Sequence, residues 1–82
     1  MAIHTTTYQA FLLRLRQARL AAGLTQQAVA ARLQRPQSFV SKSEGGDRRV
    51  DVIELQAFAQ LYGKPLAWFV EGDSSALHGG ES

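Results

Sequence analysis

The sequence GLTQQAVAARLQRPQSFVSKSE, residues 23–44, decides the fold of this chain. It contains two short apolar-periodic segments separated by a connection that includes Pro36. Thr25 can cap the first segment with its hydroxyl, and that helix is expected to end near Leu33. Pro36 fits the first turn of a second helix, because its missing N–H has no intrahelical partner there. The second helix is expected to run to about Glu44 and to stop at the two glycines that follow.

The first helix of this pair has side chains that favour close packing. Leu24, Val29 and Leu33 recur at helical spacing and are expected to be buried. Ala28 and Ala30 lie among them, and helices can cross closely only where side chains are short. The stretch therefore predicts two helices in close contact.

A longer helix is expected before this pair, over about residues 8–22. The hydroxyls of residues 5–7 can cap its start, and Gly23 can end it in a left-handed conformation. Its apolar positions recur at helical spacing and should face the core. They are Phe11, Leu12, Leu15, and Ala18 or Ala22.

Two further helices are expected after the pair. Asp51 and Glu54 form a capping-box pattern with Val50 as a hydrophobic staple, so a fourth helix begins there and runs to Gly63. A short fifth helix is expected over residues 65–70. The apolar face of the fourth helix is predicted to consist of Val52, Leu55, Phe58, Ala59 and Tyr62.

Length and composition are typical of one small all-α domain. The chain has 82 residues and no cysteine, and it contains no strand pattern and no internal repeat. No apolar run approaches the ~20 residues that a membrane-spanning helix needs. We expect a compact five-helix bundle over residues 8–70, with flexible segments at residues 1–7 and 71–82. The N-terminus lacks the basic-then-apolar order of a secretion signal, which favours a cytoplasmic location.

Charge is distributed unevenly along the chain. Residues 1–43 carry six basic and no acidic side chains, whereas residues 44–82 carry three basic and seven acidic ones. A surface that binds a polyanion produces such an asymmetry. Ordinary solvation of helix surfaces by arginine accounts for the charge alone equally well.

The outer face of the helix after Pro36 carries side chains that can bind nucleic-acid bases. If Val40 points to the core, the opposite face presents a polar set at positions i, i+1, i+4 and i+5. This set consists of Gln37, Ser38, Ser41 and Lys42. Glutamine can pair with adenine N6 and N7, lysine with guanine O6 and N7 or a phosphate, and serine with several bases. The pattern predicts base-edge contacts in the major groove of double-stranded DNA.

Polar and basic residues flank this helix at positions suited to phosphate contacts. Gln26 lies at the start of the preceding helix, whose dipole favours an anion. Arginines occupy the connections on either side, at Arg35, Arg48 and Arg49. Such contacts position a protein on DNA without specifying sequence.

The sequence does not favour an enzyme. His4 and His78 lie in the expected flexible ends, where no rigid acid–base or metal site forms. The serines of the central stretch have no base placed near them, and the acidic residues are scattered over caps and loops. We expect no catalytic residue, no metal and no cofactor.

Taken in order, these motifs resemble the Cro/repressor-type helix-turn-helix domains of the XRE family over residues 14–70. The family pattern is an arginine-rich helix, Gly-Leu-Thr-Gln, an alanine-containing helix, Glu-x-Gly, a basic loop, a leucine-rich helix and Gly-x-x-Leu-x-Trp. The matching residues are Arg14-Leu15-Arg16, Gly23-Leu24-Thr25-Gln26, Val29-Ala30, Glu44-Gly45-Gly46, Arg48-Arg49, Leu55-Phe58-Ala59 and Gly63-Lys64-Pro65-Leu66-Ala67-Trp68. Each motif alone is weak, but their order is specific. The resemblance implies a lambda-repressor-like bundle whose second and third helices form the helix-turn-helix.

The resemblance also implies roles for single residues. It implies phosphate contact for Gln26, base-edge contact for Gln37, Ser38 and Lys42, and a semi-buried ion pair between Arg19 and Glu44. Arg19 would then stabilise the fold, although it adds to the basic count of the first half of the chain.

Two positions depart from the family pattern. Gln34 stands where relatives usually have a glycine with positive φ, which predicts a strained or differently wound turn. Ser43 stands where relatives usually have a large apolar residue. Phe39 can supply the missing apolar contact by partial burial, or it can face outward toward a thymine methyl or a partner protein.

The function implied by the resemblance is that of a sequence-specific DNA-binding regulator, acting as a repressor in the cytoplasm in association with the nucleoid. One short helix reads few bases, so a homodimer on a palindromic operator is expected. The dimer interface is predicted in the apolar C-terminal segment, at Leu66, Trp68 and Phe69. The alternative is a protein-interaction module, such as a toxin-binding antitoxin or an adaptor, with Phe39 and the Trp68-Phe69 segment as anchors.

Overall fold

The computed structural model describes residues 6–71 and confirms the all-α class predicted from the sequence. Within that range no residue lies in a β-strand. The helices are α1 (Thr6–Ala21), α2 (Gln26–Leu33), α3 (Gln37–Gly45), α4 (Val52–Tyr62) and a single turn of 3-10 helix (Leu66–Phe69). The predicted fifth helix is thus a 3-10 turn, and the described range contains four α-helices.

Several sequence-based expectations concern residues 1–5 and 72–82, which lie outside the described range. These are most of the two segments predicted to be flexible, the first of the capping hydroxyls, His4 and His78. Among the described helices, none is long and apolar enough to cross a membrane.

Side-chain caps fix the starts of α2 and α4 where the sequence predicted them. The Thr25 hydroxyl accepts a hydrogen bond from the Ala28 N–H at 3.0 Å. The Asp51 carboxylate accepts from the Glu54 N–H at 2.7 Å, and the Glu54 carboxylate accepts from the Asp51 N–H at 3.1 Å. This reciprocal pair is the predicted capping box, and it ties the start of α4 to the loop before it.

The connection between α2 and α3 is wound through a left-handed residue that is not glycine. Gln34 has φ 57°, as its place in the family pattern predicted. The Gln34 N–H donates to the Ala31 carbonyl at 3.2 Å, and the Arg35 N–H donates to the Ala30 carbonyl at 3.0 Å. These two bonds form a Schellman-type end to α2. A side chain in this conformation costs about 1 kcal/mol, which the tight turn must offset.

The core is built from apolar side chains of all five helices. Its buried members are Phe11, Leu15, Ala18, Val29, Ala30, Phe39, Val40, Phe58, Ala59, Tyr62 and Phe69. Phe39 is 7% exposed, and its ring stacks on that of Phe58 with centroids 5.7 Å apart. Of the two orientations open for Phe39, the structure therefore has the buried one. Ser43, one turn further along α3, has no exposed surface, and its hydroxyl donates to the Phe39 carbonyl at 2.6 Å.

One predicted core position is wrong. Val52 is 65% exposed, because it is the first residue of α4 and lies one turn beyond the buried end of that helix. Of the two alanines open for the core face of α1, Ala18 is the buried one and Ala22 is exposed after the end of the helix at Ala21.

Candidate nucleic-acid interface

Helix α3 has one face in the core and one face in solvent. Phe39, Val40 and Ser43 are buried. The predicted base-contact residues Gln37, Ser38 and Lys42 are exposed, and Ser41 is half-buried. The helical period accounts for this division, because positions three and four residues apart share a face. The structure thus brings the predicted polar set together on one surface.

The exposed polar groups of this surface differ in how they are bonded. The Ser41 hydroxyl donates to the Ser38 carbonyl at 3.3 Å, one turn back along the helix. Within residues 6–71, the side chains of Gln37, Ser38 and Lys42 make no hydrogen bond. These three side chains can therefore meet an external partner without breaking an internal contact.

A buried ion pair fixes α3 against the rest of the domain. The Arg19 Nε and Nη2 atoms donate to the two carboxylate oxygens of Glu44 at 2.6 and 3.1 Å. Arg19 Nη1 also donates to the Leu24 carbonyl at 2.9 Å, so the same guanidinium also holds the connection between α1 and α2. The side chains of Arg19 and Glu44 are 9% and 5% exposed. Hydrogen bonding to Glu44 raises the pKa of Arg19, so this guanidinium is a structural cation.

Gln26, predicted to contact phosphate, is tied to the same carboxylate. Its Nε2 atom donates to Glu44 Oε1 at 3.0 Å, and the residue is half-buried at the start of α2. A side-chain amide has two N–H groups, so one remains for a second acceptor. Glu44 thereby orients Gln26 as well as Arg19.

Arg48 was expected on the loop as a phosphate ligand, and the structure gives it another role. Its Nη1 and Nη2 atoms donate to the two carboxylate oxygens of Glu54 at 2.9 and 2.8 Å. Nη1 also donates to the buried Ser43 hydroxyl at 3.2 Å. The sequence prediction missed this because the loop folds back onto α4. Arg48 therefore joins α3 to α4, and its charge is balanced within the domain.

The Arg48→Ala variant is expected to be destabilised by about 1–3 kcal/mol at neutral pH, since it removes hydrogen bonds between charged groups. The bond from Arg48 is the largest cause lowering the pKa of Glu54. Its stabilisation is therefore complete above the unfolded-state pKa of about 4.3 and is lost as the pH falls through the lower folded-state value. Urea unfolding at pH 7 and pH 3 checks this, with Arg49→Ala as the control. An equal loss at both pH values would contradict the assignment.

The other two loop arginines are exposed and stack on aromatic rings. The guanidinium carbon of Arg35 lies 3.8 Å from the ring centroid of Phe39. That of Arg49 lies 4.7 Å from the ring of Tyr8. Phosphate contact by these residues stays a prediction. Sequence reasoning missed the ring beneath Arg35, because Arg35 precedes α3 and the four-residue spacing rule holds only within a helix.

The C-terminal 3-10 segment packs differently from the prediction that made it the dimer interface. Phe69 has no exposed surface and belongs to the core of the protomer. Trp68 is half-buried, with the cations of Arg14 and Lys64 4.8 and 4.7 Å from its ring. Arg14 also donates to the Trp68 carbonyl at 2.6 Å. Phe69 is thus excluded from a contact surface, while Leu66 remains 41% exposed.

An apolar groove of about 400 Å³ lies beside this segment. It is lined by Thr7, Tyr8, Ala10, Phe11, Arg14, Arg49, Val50, Asp51, Val52, Leu55, Phe69 and Val70. None of these residues belongs to α2 or α3, so the groove is separate from the polar surface of α3.

Among the residues described, no group of three or more His, Cys, Asp or Glu side chains is placed to hold a metal ion.

Comparisons with known proteins agree with this geometry. A family described as "Helix-turn-helix domain" matches residues 10–67. A solved structure described as an XRE-family like protein from Pseudomonas syringae pv. tomato str. DC3000 is 47% identical and superposes with a TM-score of 0.78. The match covers 92% of this chain and 94% of that one. No curated protein matches the chain. The chain therefore belongs to the XRE-type helix-turn-helix family of DNA-binding proteins.

Proposed function

We propose that this protein is a transcriptional repressor that binds a palindromic operator in double-stranded DNA as a homodimer. The observation that carries the proposal is the polar face of α3, where the exposed side chains of Gln37, Ser38 and Lys42 make no internal hydrogen bond and a buried ion pair holds the helix in place. A recognition helix needs side chains that can meet base edges and a scaffold that holds the helix still. This function requires a cytoplasmic protein associated with the nucleoid.

In this proposal, base reading and phosphate binding belong to different residues. Gln37 and Ser38 lie in the first turn of α3, which enters the major groove most deeply. Lys42 reads a base one turn further along, and Ser41 lies between them. The backbone of the duplex is held by Arg35, Arg49 and the remaining N–H of Gln26. Arg48 is left out of this set because Glu54 holds it.

Selection of bound duplexes from a random DNA pool tests the proposal. We expect the wild-type protein to enrich a palindromic site and the Gln37→Ala/Lys42→Ala double variant to lose it. Both substitutions are on exposed side chains that make no internal hydrogen bond, so folding is preserved. If both proteins retain the same unstructured pool, binding is only electrostatic and the proposed function is wrong.

The length of the reading helix supports the proposed homodimer. The nine residues of α3 span about 13 Å, which covers few base pairs. Two copies on half-sites about 34 Å apart would double the number of bases read. We place the contact between copies at the apolar groove and its exposed neighbours, with Val52, Ile53 and Val70 replacing Phe69 of the earlier prediction. A contact there leaves α3 uncovered.

The Ile53→Glu variant is expected to shift the protein from dimer to monomer. Ile53 is 69% exposed in the first turn of α4, where an added carboxylate is favourable to the helix dipole. Sedimentation at micromolar concentration measures the shift. Leu20→Glu is the matched control, because Leu20 is 56% exposed and neither it nor its chain neighbours line the groove, whereas Ile53 follows the lining residue Val52. A wild-type protein that is monomeric at high micromolar concentration would contradict the dimer itself.

The aromatic residues on which the protein-interaction alternative depends are not available as exposed anchors. Phe39 and Phe69 are buried in the core, and Trp68 is covered by two cations. The surface of α3 is polar where a protein-binding helix would be apolar. The groove is then the surface on which a toxin or adaptor partner would bind. The Ile53→Glu variant would weaken the binding of such a partner without changing the binding of one protomer to DNA.

A further inference from the structure

Arg35 is an exposed arginine whose side chain rests on an aromatic ring. Its guanidinium carbon is 3.8 Å from the ring centroid of Phe39, which is within the range of a stacked cation–π contact. Within residues 6–71 its side chain makes no hydrogen bond. The N–H donors of this guanidinium therefore remain free, while its flat face lies against the Phe39 ring.

The backbone of Arg35 is also fixed. Its N–H donates to the Ala30 carbonyl at 3.0 Å, and the preceding Gln34 turns the chain with φ 57°. Arg35 is thus locked at the end of α2, two residues before α3 begins at Gln37. An exposed side chain on a fixed backbone and a fixed ring has lost much of its freedom before any partner arrives.

The ring beneath Arg35 is held by its own contacts. Phe39 stacks on Phe58 with an interplanar angle of 6° and centroids 5.7 Å apart. Arg48 also approaches the ring, at 4.6 Å, but both of its terminal nitrogens are bonded to Glu54. Glu54 is close enough for Arg35 to contribute to lowering its pKa, although both carboxylate oxygens already accept from Arg48. Because Arg48 occupies both oxygens of Glu54, Arg35 forms no ion pair within residues 6–71.

We propose that Phe39 is a positioning residue, which presents Arg35 as a preformed phosphate-binding group beside the base-reading turn of α3. The proposal rests on the proposed DNA binding. Arginine donors fit phosphate oxygens in a fixed fork, so a guanidinium held in one orientation binds with less loss of freedom. Phe39 thus contributes to DNA binding from inside the core, without touching DNA.

A double-mutant cycle on the selected operator tests this proposal. Arg35→Ala is expected to reduce the slope of log affinity against log salt concentration by about one unit. Phe39→Leu is expected to produce most of the same reduction, and Arg35→Ala is then expected to add little in the Phe39→Leu background. Phe39→Tyr, which keeps the ring, is expected to restore the slope.

Phe58→Leu is the matched control for the cycle. It removes the partner ring that stacks on Phe39 and is expected to lower stability, but it leaves the Phe39 ring itself in place for Arg35. Its salt slope is therefore expected to equal that of the wild type once the folded fraction is taken into account. If Arg35→Ala has its full effect in the Phe39→Leu background, the positioning role is wrong, whereas a wild type that selects no operator overturns the proposed function.

A measurement on the unmodified protein keeps the proposal testable if Phe39→Leu does not fold. In the free wild-type protein, NMR is expected to show ring-current shifts of the Arg35 side-chain protons and a high order parameter at Arg35 Nε. Arg16, which is exposed on α1, provides the reference for a mobile arginine. Equal order parameters for the two residues in the free protein would overturn the proposal, whatever the DNA selection shows.

Discussion

The Arg19→Ala variant is expected to lose about 3–5 kcal/mol of the free energy of unfolding, because the substitution leaves Glu44 as a buried, unpaired charge. Glu44 has a side chain only 5% exposed and accepts three hydrogen bonds, two of them from Arg19. A small domain has only about 5–15 kcal/mol of stability in total, so the substitution removes a large share of it.

Thermal and urea unfolding followed by circular dichroism measure this loss. Arg16→Ala is the control, since Arg16 is an exposed arginine of the same helix. The double variant Arg19→Met/Glu44→Met should recover much of the stability, because it removes both charges and keeps apolar volume. If Arg19→Ala were no less stable than Arg16→Ala, the ion pair would not be what fixes α3.

The Gln37→Ala variant is expected to lose roughly 1–3 kcal/mol of binding free energy on the selected operator, and to lose its preference at one base pair. The physical reason is that a glutamine amide can pair with two atoms of one base edge, which alanine cannot replace. Binding to random DNA should change little, because phosphate contacts are not affected.

Titration of labelled operator and of point-substituted operators measures both quantities at one salt concentration. Gln60→Ala is the matched control, because Gln60 is an exposed glutamine on α4 rather than on α3. Equal losses on operator and random DNA would refute base reading by Gln37. Loss of preference at several base pairs would indicate that α3 itself has shifted.

The parts of the fold that the sequence predicted well depend on local signals. Thr25 caps α2 through an N–H three residues away, and Asp51 and Glu54 cap α4 over the same distance. The outward face of α3 follows from helical spacing around Val40. These relations lie within one or two turns of helix, so the chain alone contains the information needed.

The parts that the sequence did not predict depend on contacts between elements. Arg48 meets Glu54 across a loop whose path is set by packing, so this ion pair could not be deduced from the position of Arg48 beside Arg49. Which of Trp68 and Phe69 turns inward depends on the segment being a 3-10 turn, with about three residues per turn rather than 3.6. The burial of Phe39 depends on its stack with Phe58 of α4, which spacing along the chain does not show.

The internal pairing of arginines has a kinetic consequence for a regulator of the proposed kind. Arg19 is balanced by Glu44 and Arg48 by Glu54, so these two cations do not add to the positive charge that α3 and its loops offer to DNA. The lifetime of a protein on arbitrary DNA grows with the number of phosphates that it neutralises. A protomer that pairs two of its arginines internally therefore leaves wrong sites sooner than its number of basic residues suggests, and it searches by repeated dissociation and rebinding. Residence at the operator then depends on base contacts and on the second copy.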